Sequence, residues 1–321
     1  MRSINSDVKD SLHDDEISID IAMVRKLVDS EFPHYANLSL SRLGESGSSN
    51  VLFRLGNKLL VRLPRQPGGG VAICSEHEWM PKIGCHLPVA VPDVIALGKP
   101  AFGFEEHWSI LSWLEGERPI SYVPNEACQD DRLLLAADLA DMILALRSVD
   151  SSGVLSLRGL RHYRGDSLKA FDKQTRKNIQ HCRSIRGLDL DFDAALDVWE
   201  DALDLPGASE VGSDRWYHAD LVAENLLLKD GRLTGVLDFG GLGIGDPTID
   251  LHGAWELFDP LAREVFRERL GVDDAEWLRG RAWALAISFG AFSYYWTKMP
   301  GRIRDRTAMA RSVLLDATSC S

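Results

Sequence analysis

The apolar positions change their period partway along the chain. Leu38 to Leu43, Val51 to Leu55 and Lys58 to Leu63 are short apolar runs. A small-residue loop, Gly44 to Asn50, separates the first two, and a Gly56-Asn57 turn separates the next two. Runs of this length bounded by Gly and Asn read as strands, here an antiparallel meander. His107 to Trp113 predicts a further strand. The segment Leu87 to Leu97, with Pro88 and Pro92, suits a sheet edge, because proline has no N–H for a central ladder. Ser18 to Phe32 predicts a helix, with Asp20 as N-cap and Ile21, Val24, Leu27 and Val28 as its apolar stripe. Val71 to Cys85 predicts a second helix.

Leu114-Glu115-Gly116-Glu117-Arg118-Pro119 marks a boundary, and the spacing beyond it is helical. Leu133, Ala137, Ala140 and Leu144 recur within residues 131–149. Phe192, Leu196, Trp199 and Leu203 do so within 190–203, and Leu278, Ala282, Leu285, Phe289, Phe292 and Trp296 within 274–298. Residues 151–170, rich in Ser, Gly, Arg and Tyr, predict no regular element.

Inside this helical half stands one different pattern. Trp216-Tyr217-His218-Ala219-Asp220 leads through Asn225 into Leu226-Leu227-Leu228. The polar turn Lys229-Asp230-Gly231-Arg232 follows, then Leu233 to Leu237 and Asp238-Phe239-Gly240. Two apolar runs around Asp-Gly read as a β-hairpin. A hairpin folds its ends together, so Asn225 and Asp238 lie at one open end with Asp220 just upstream. Each residue alone has a plainer reading, as turn, cap or loop carboxylate. Together, one amide and two carboxylates suit phosphoryl transfer. A carboxylate accepts the proton of an attacking hydroxyl, and an amide and a carboxylate offer hard oxygens to Mg²⁺.

Composition narrows the classes. The 321 residues are 45% hydrophobic and 26% charged, an ordinary soluble balance with room for one large domain or two lobes. A net charge of -12 argues against a nucleic-acid partner and is compatible with a cationic acceptor. Five cysteines lie far apart, with no pair at zinc-ligand spacing, which suggests reduced thiols in the cytoplasm. No apolar run is long enough for a bilayer, and the polar, acidic residues 1–17 are expected to form a frayed or disordered tail. Neither Gly-x-Ser-x-Gly nor His-Glu-x-x-His occurs, so nucleophilic and zinc hydrolases find no support.

The order His218-x-Asp220-x-x-x-x-Asn225, then Asp238-Phe239-Gly240, is similar to the catalytic and metal loops of protein kinases. The wider setting, Trp-Tyr-His-Ala-Asp and then Val-Leu-Asp-Phe-Gly-Gly-Leu-Gly-Ile-Gly-Asp-Pro, resembles the aminoglycoside phosphotransferase family of small-molecule kinases. Ala219 departs from it, since that family usually has Gly there. The resemblance implies an α+β, two-lobe, protein-kinase-like fold. Residues 18–114 would form a small antiparallel-sheet lobe for the nucleotide, and 115–321 a larger, mostly helical catalytic lobe. Asp220 would be the base, with Asn225 and Asp238 as Mg²⁺ ligands. Ser46, Gly47, Ser48, Ser49 and Asn50 would cover the phosphates of ATP or GTP. Arg62 stands where such kinases carry a phosphate-pairing lysine, and Glu76 would hold it, with Glu78 the near alternative. Trp113 and Leu114 would line the adenine site. An aspartate near Asp246 and Asp250 would brace the catalytic loop, with helix capping assigned to Asp246.

The acceptor implied is a hydroxyl of a small molecule, an aminoglycoside or another hydroxylated antibiotic. Two rivals stay open. One is a metabolic kinase for a sugar, an amino alcohol or a related metabolite. The other is a non-catalytic nucleotide-binding pseudokinase, which Arg62 and Ala219 keep alive.

Overall fold

The hairpin from Asn50 to Pro64 is the centre of the first sheet. The computed structural model describes residues 12–44, 47–124, 132–154, 160, 163–210 and 214–319. Strands β1 (Leu40–Arg42), β2 (Asn50–Leu55) and β3 (Leu59–Pro64) form the expected meander, with Leu55 opposite Leu59 across the turn. Strands β4 (Val94–Gly98) and β5 (Trp108–Ser112) complete an antiparallel sheet of order β1-β2-β3-β5-β4. The apolar β5 is therefore interior, and β4, which follows the prolines, is an edge. Along β2, Val51, Phe53 and Leu55 are buried while their neighbours are not, the period-two signature of a half-covered strand. Those three join Val61, Leu63, Trp108 and Ile110 in one core with Val24, Leu27 and Val28 of helix α1 (Ile21–Glu31). Fully burying each such side chain is worth about 1.5–3 kcal/mol. Asp20 caps α1 by accepting the Met23 N–H at 2.7 Å. Ile21, counted on the buried stripe from its spacing, is exposed at the helix end.

The chain divides into two compact units. One takes the described residues up to His77 with Asp93–Trp113, and the other takes Glu78–Pro92 with the described residues from Leu114 on. One boundary thus falls within helix α2 (Gly70–Gly84), where a single break after residue 114 was expected. The reason is packing. Trp79 sits 5.5 Å from Trp216 between ring centroids, and the Ala90 N–H and C=O bond the hairpin at Thr234 and Val236.

In the second unit, helices α3 (Arg132–Ser148), α4 (Leu168–Cys182), α5 (Phe192–Leu203), α6 (Gly253–Leu257), α7 (Pro260–Leu270), α8 (Asp274–Tyr295) and α9 (Pro300–Ser319) accompany two short antiparallel pairs. Strand β6 (Arg215–Tyr217) pairs with β9 (Gly243–Gly245), and β7 (Leu226–Lys229) with β8 (Arg232–Val236). On α3 the expected stripe is partly the wrong face. Leu133 and Leu144 are exposed, and Leu135, Ala136, Leu139, Met142, Ile143 and Leu146 are buried. That helix is apolar on nearly every side, so its period does not single out one face. Helices α4, α7 and α9 carry sparse apolar positions among many charges, and their spacing gave no prediction.

Candidate active site

The hairpin turn holds because two successive residues adopt positive φ, Asp230 at 53° and Gly231 at 74°. That twist matches the strands it joins, which is why Asp-Gly is favoured there. At the open end Leu226 pairs with Val236, and the Leu237 N–H donates to the Asn225 carbonyl at 2.8 Å. The Asn225 amide nitrogen donates to both the backbone oxygen and Oδ2 of Asp220, each at 2.9 Å. His218 closes the arrangement. Its Nδ1 accepts the Asp220 N–H at 3.3 Å, so its Nε2 carries the proton given to the Leu237 carbonyl at 3.1 Å. Asp238 follows directly, in the left-handed region at φ 59°. The structure thus bonds Asn225 to Asp220 and ties the residue before Asp238 to both Asn225 and His218.

A second layer braces this loop from one short segment. Asp250, fully buried, accepts the His218 N–H at 2.9 Å and the Ala219 N–H at 2.7 Å. Ala219 has φ 71°, a conformation that costs an L-residue about 1–2 kcal/mol and that glycine adopts freely. The loop keeps the glycine-type geometry, with Asp250 holding it. Asp246 caps the following turn by accepting the Thr248 N–H at 3.0 Å, so the two aspartates divide the roles of cap and brace. Three residues after Asp250, a Cβ on Gly253 would lie 2.1 Å from the Leu221 carbonyl oxygen. Three further on, Glu256 accepts the Ala223 N–H at 2.9 Å and pairs with buried Arg306. Arg306 also reaches Glu224, which Arg302 holds at 2.8 Å.

Asp220 has a partner that sequence reasoning did not find. Arg164 Nη1 donates to Asp220 Oδ1 at 2.9 Å and to the Ala219 carbonyl at 3.0 Å. Burial works to raise the Asp220 carboxyl, yet Arg164, then Arg306, His252 and His218, hold it well below the usual carboxylate range. It is ionised at neutral pH and able to accept a hydroxyl proton in a hydrogen bond. Burial pushes the carboxyls of Asp250 and Glu256 up, against His218 and backbone donors for the first and Arg306 for the second. Arg164 lies in the irregular stretch after α3, and nothing in its local sequence links it to Asp220.

The nucleotide candidates lie in the first unit, apart from Leu114. Ser46 falls outside the described residues. Gly47, Ser48 and Ser49 lead into β2, and Asn50 is its first residue, opposite Pro64. Arg62 and Glu76 form a buried ion pair, whereas Glu78 pairs with Lys82 on an exposed face at 3.3 Å. The geometry therefore chooses Glu76 as the partner of Arg62. The Trp113 N–H extends the ladder to the Lys58 carbonyl at 2.8 Å, so it is not available to a base. The Trp113 ring lies under the Arg54 guanidinium at 3.6 Å. Leu114 belongs to the second unit, against Gly235.

The GDP and kanamycin complex of APH(2")-IIia has the same fold, with a TM-score of 0.65 at 18% identity, over 93% of this chain and 99% of that one. The ADP-bound aminoglycoside phosphotransferase APH(2'')-Ib gives 0.60 at 19% identity, over 92% of this chain and 98% of that one. The macrolide 2'-phosphotransferase MphH from Brachybacterium faecium gives 0.57 at 20% identity, over 89% and 98%. No curated protein sequence matches the chain. A profile of the phosphotransferase enzyme family, APH, matches residues 40–283, a span that holds the Arg62–Glu76 pair, the Asp220 loop and its Asp250 brace. The chain belongs to the phosphotransferase enzyme family.

Proposed function

We propose that this phosphotransferase moves the γ-phosphate of ATP or GTP to a hydroxyl of a small molecule, with Mg²⁺ bound by Asn225 and Asp238. The observation that carries this reading is the bonding of Asn225. Its amide nitrogen is engaged by Asp220, which fixes the side chain and leaves Oδ1 as the end for a cation. With the Asp238 carboxylate, that makes a set of hard oxygens suited to Mg²⁺. The bound ion would neutralise phosphate charge. Asp220 orients the acceptor hydroxyl and takes its proton as attack proceeds, and Asp250 keeps the loop that carries it in place. Arg62, held by Glu76, is assigned to nucleotide phosphate, as are the backbone groups of Gly47 to Asn50. Trp113 keeps a role at the adenine site through its carbonyl, beside Leu114.

Asp220→Asn tests the reading. It retains shape but removes basicity, and positioned base catalysis contributes on the order of 10² to 10⁴-fold. The variant should bind Mg²⁺-nucleotide with near-native affinity in calorimetry while kcat falls by about that factor. Equal turnover by variant and wild type would remove Asp220 from the role of base.

The first acceptor class is an aminoglycoside or another hydroxylated antibiotic, and the enzyme would then confer resistance. Arg164 favours a second reading, a metabolic small-molecule kinase. A partly exposed guanidinium on the reacting carboxylate disfavours an acceptor with a cation beside its hydroxyl. A panel of aminoglycosides, macrolides, neutral sugars and hydroxy acids, assayed for nucleotide consumption, separates the two. Among the described residues no helix is long and apolar enough to cross a membrane. Free Cys74, Cys85 and Cys182 support a cytoplasmic setting.

A further inference from the structure

The carbonyls of three successive residues in the small-residue loop are anchored by two side chains and one backbone donor. Arg65 Nε donates to the Gly47 carbonyl at 3.0 Å, and the Arg65 backbone N–H to that of Ser49 at 2.9 Å. Between them, His13 Nε2 bonds the Ser48 carbonyl at 2.7 Å. A carbonyl only accepts, so His13 carries its proton on Nε2. The anchors are themselves fixed. His13 is 4% exposed and Arg65 6%. Arg65 Nη1 pairs with Glu16 Oε1 at 2.5 Å, and the other Glu16 oxygen accepts the Leu12 N–H at 2.7 Å. The Arg65 carbonyl accepts the Ile17 N–H at 2.7 Å. Residues 12–17, expected to fray, are therefore bonded into the first unit, and residues 1–11 lie outside the described ones.

In a trans peptide the C=O and N–H of one plane point in opposite directions. Holding the carbonyls of Gly47, Ser48 and Ser49 therefore turns the N–H groups of Ser48, Ser49 and Asn50 away from His13 and Arg65. Successive N–H groups presented in this way make an anion-binding concavity. Anchoring also removes ordering that a free loop would undergo on binding, which raises affinity without a new ligand contact. We propose that His13 and Arg65, the latter held by Glu16, are positioning residues of the nucleotide site that aim the Ser48, Ser49 and Asn50 N–H groups at phosphate. The inference rests on the assignment of this loop to nucleotide, and it adds a segment ahead of the first helix to that site.

The test must separate phosphate positioning from general support of the fold. Calorimetry on the full chain would compare wild type, His13→Phe, His13→Gln and Arg65→Lys. The ligands are Mg²⁺-ATP, Mg²⁺-GTP, adenosine and guanosine, and melting temperatures are measured alongside. His13→Phe removes the donor and fills the space. Arg65→Lys keeps the charge but loses the Nε–H. Both should bind the preferred triphosphate about tenfold more weakly, with nucleoside affinity unchanged, and His13→Gln should recover most of the loss. Triphosphate binding at wild-type strength in both variants would overturn the proposal and leave the nucleotide reading standing. So would a loss shared equally by nucleoside and triphosphate that follows the melting temperature. If wild type binds neither triphosphate, the nucleotide reading fails first and takes this inference with it.

Discussion

Both oxygens of the Asp220 carboxylate are engaged, Oδ1 by Arg164 and Oδ2 by Asn225. A carboxylate fixed at two points can offer its remaining lone pairs in only one direction, and in the proposed role of Asp220 an acceptor hydroxyl would approach along it. Arg164→Ala should therefore lower kcat about tenfold by freeing the carboxylate to rotate, with nucleotide affinity unchanged. Steady-state kinetics with calorimetry on the same variant check this, and an unchanged kcat would leave Arg164 a mere surface partner. Asp220 and Asn225 were legible in the sequence because their bond spans five residues, within the reach of a motif. Arg164 lies 56 residues from Asp220, and only the folded chain brings the two together. Asp250 was legible in part. A bracing aspartate was expected near it, but sequence could not say whether the buried N–H groups of His218 and Ala219 would face this residue or Asp246.

The segment from Asp250 to Glu256 supports the Asp220 loop at three points, one per turn. Asp250 holds His218 and Ala219, Gly253 lies against Leu221, and Glu256 holds Ala223. The middle point has no side chain to yield, since a methyl on Gly253 would lie 2.1 Å from a backbone oxygen. Gly253→Ala should cost about 1–3 kcal/mol by overpacking. It should also reduce kcat, because Leu221 adjoins Asp220. Urea unfolding and turnover measured together would show both, and a wild-type midpoint with wild-type kcat would contradict the brace. At this scale the hairpin was the most legible element, because Asp230-Gly231 states its turn chemistry directly. The buried face of α3 was not, since Leu, Ala and Met occur all round it. Helix α4 was missed because its buried positions, Leu168, Thr175, Ile179 and Cys182, sit among Lys, Arg, Asp and Gln.

For the whole molecule, stability should depend on pH through one buried imidazole. Burial pushes His252 down to about 4, outweighing the Ile249 carbonyl and Asp220, which favour its charged form. In the unfolded chain it titrates near its ordinary value of about 6.5. Between those values the unfolded state binds the extra proton, so the contribution is whole above about 6.5 and is lost as pH falls toward 4. Chemical denaturation from pH 8 to 4.5 should show His252→Leu with a flatter acid side than wild type, by on the order of 2 kcal/mol at the low end. Comparing the two curves removes Asp250 and Glu256, whose raised carboxyls tilt stability the other way. Parallel curves would show that His252 titrates alike in both states. The α+β class was legible from the change of apolar period, whereas the unit boundary inside α2 was not, because α2 reads as one uninterrupted helix. That helix bears on how the protein emerges from the ribosome. Trp79, Met80 and Ile83 are buried in the finished protein, and the ring that covers Trp79 belongs to Trp216. At translation speeds of about 5–20 residues per second, Trp79 waits on the order of ten seconds for that ring to be synthesised. During that interval the nascent chain carries an indole without the aromatic neighbour that packs on it in the finished protein, a ready target for a ribosome-bound chaperone.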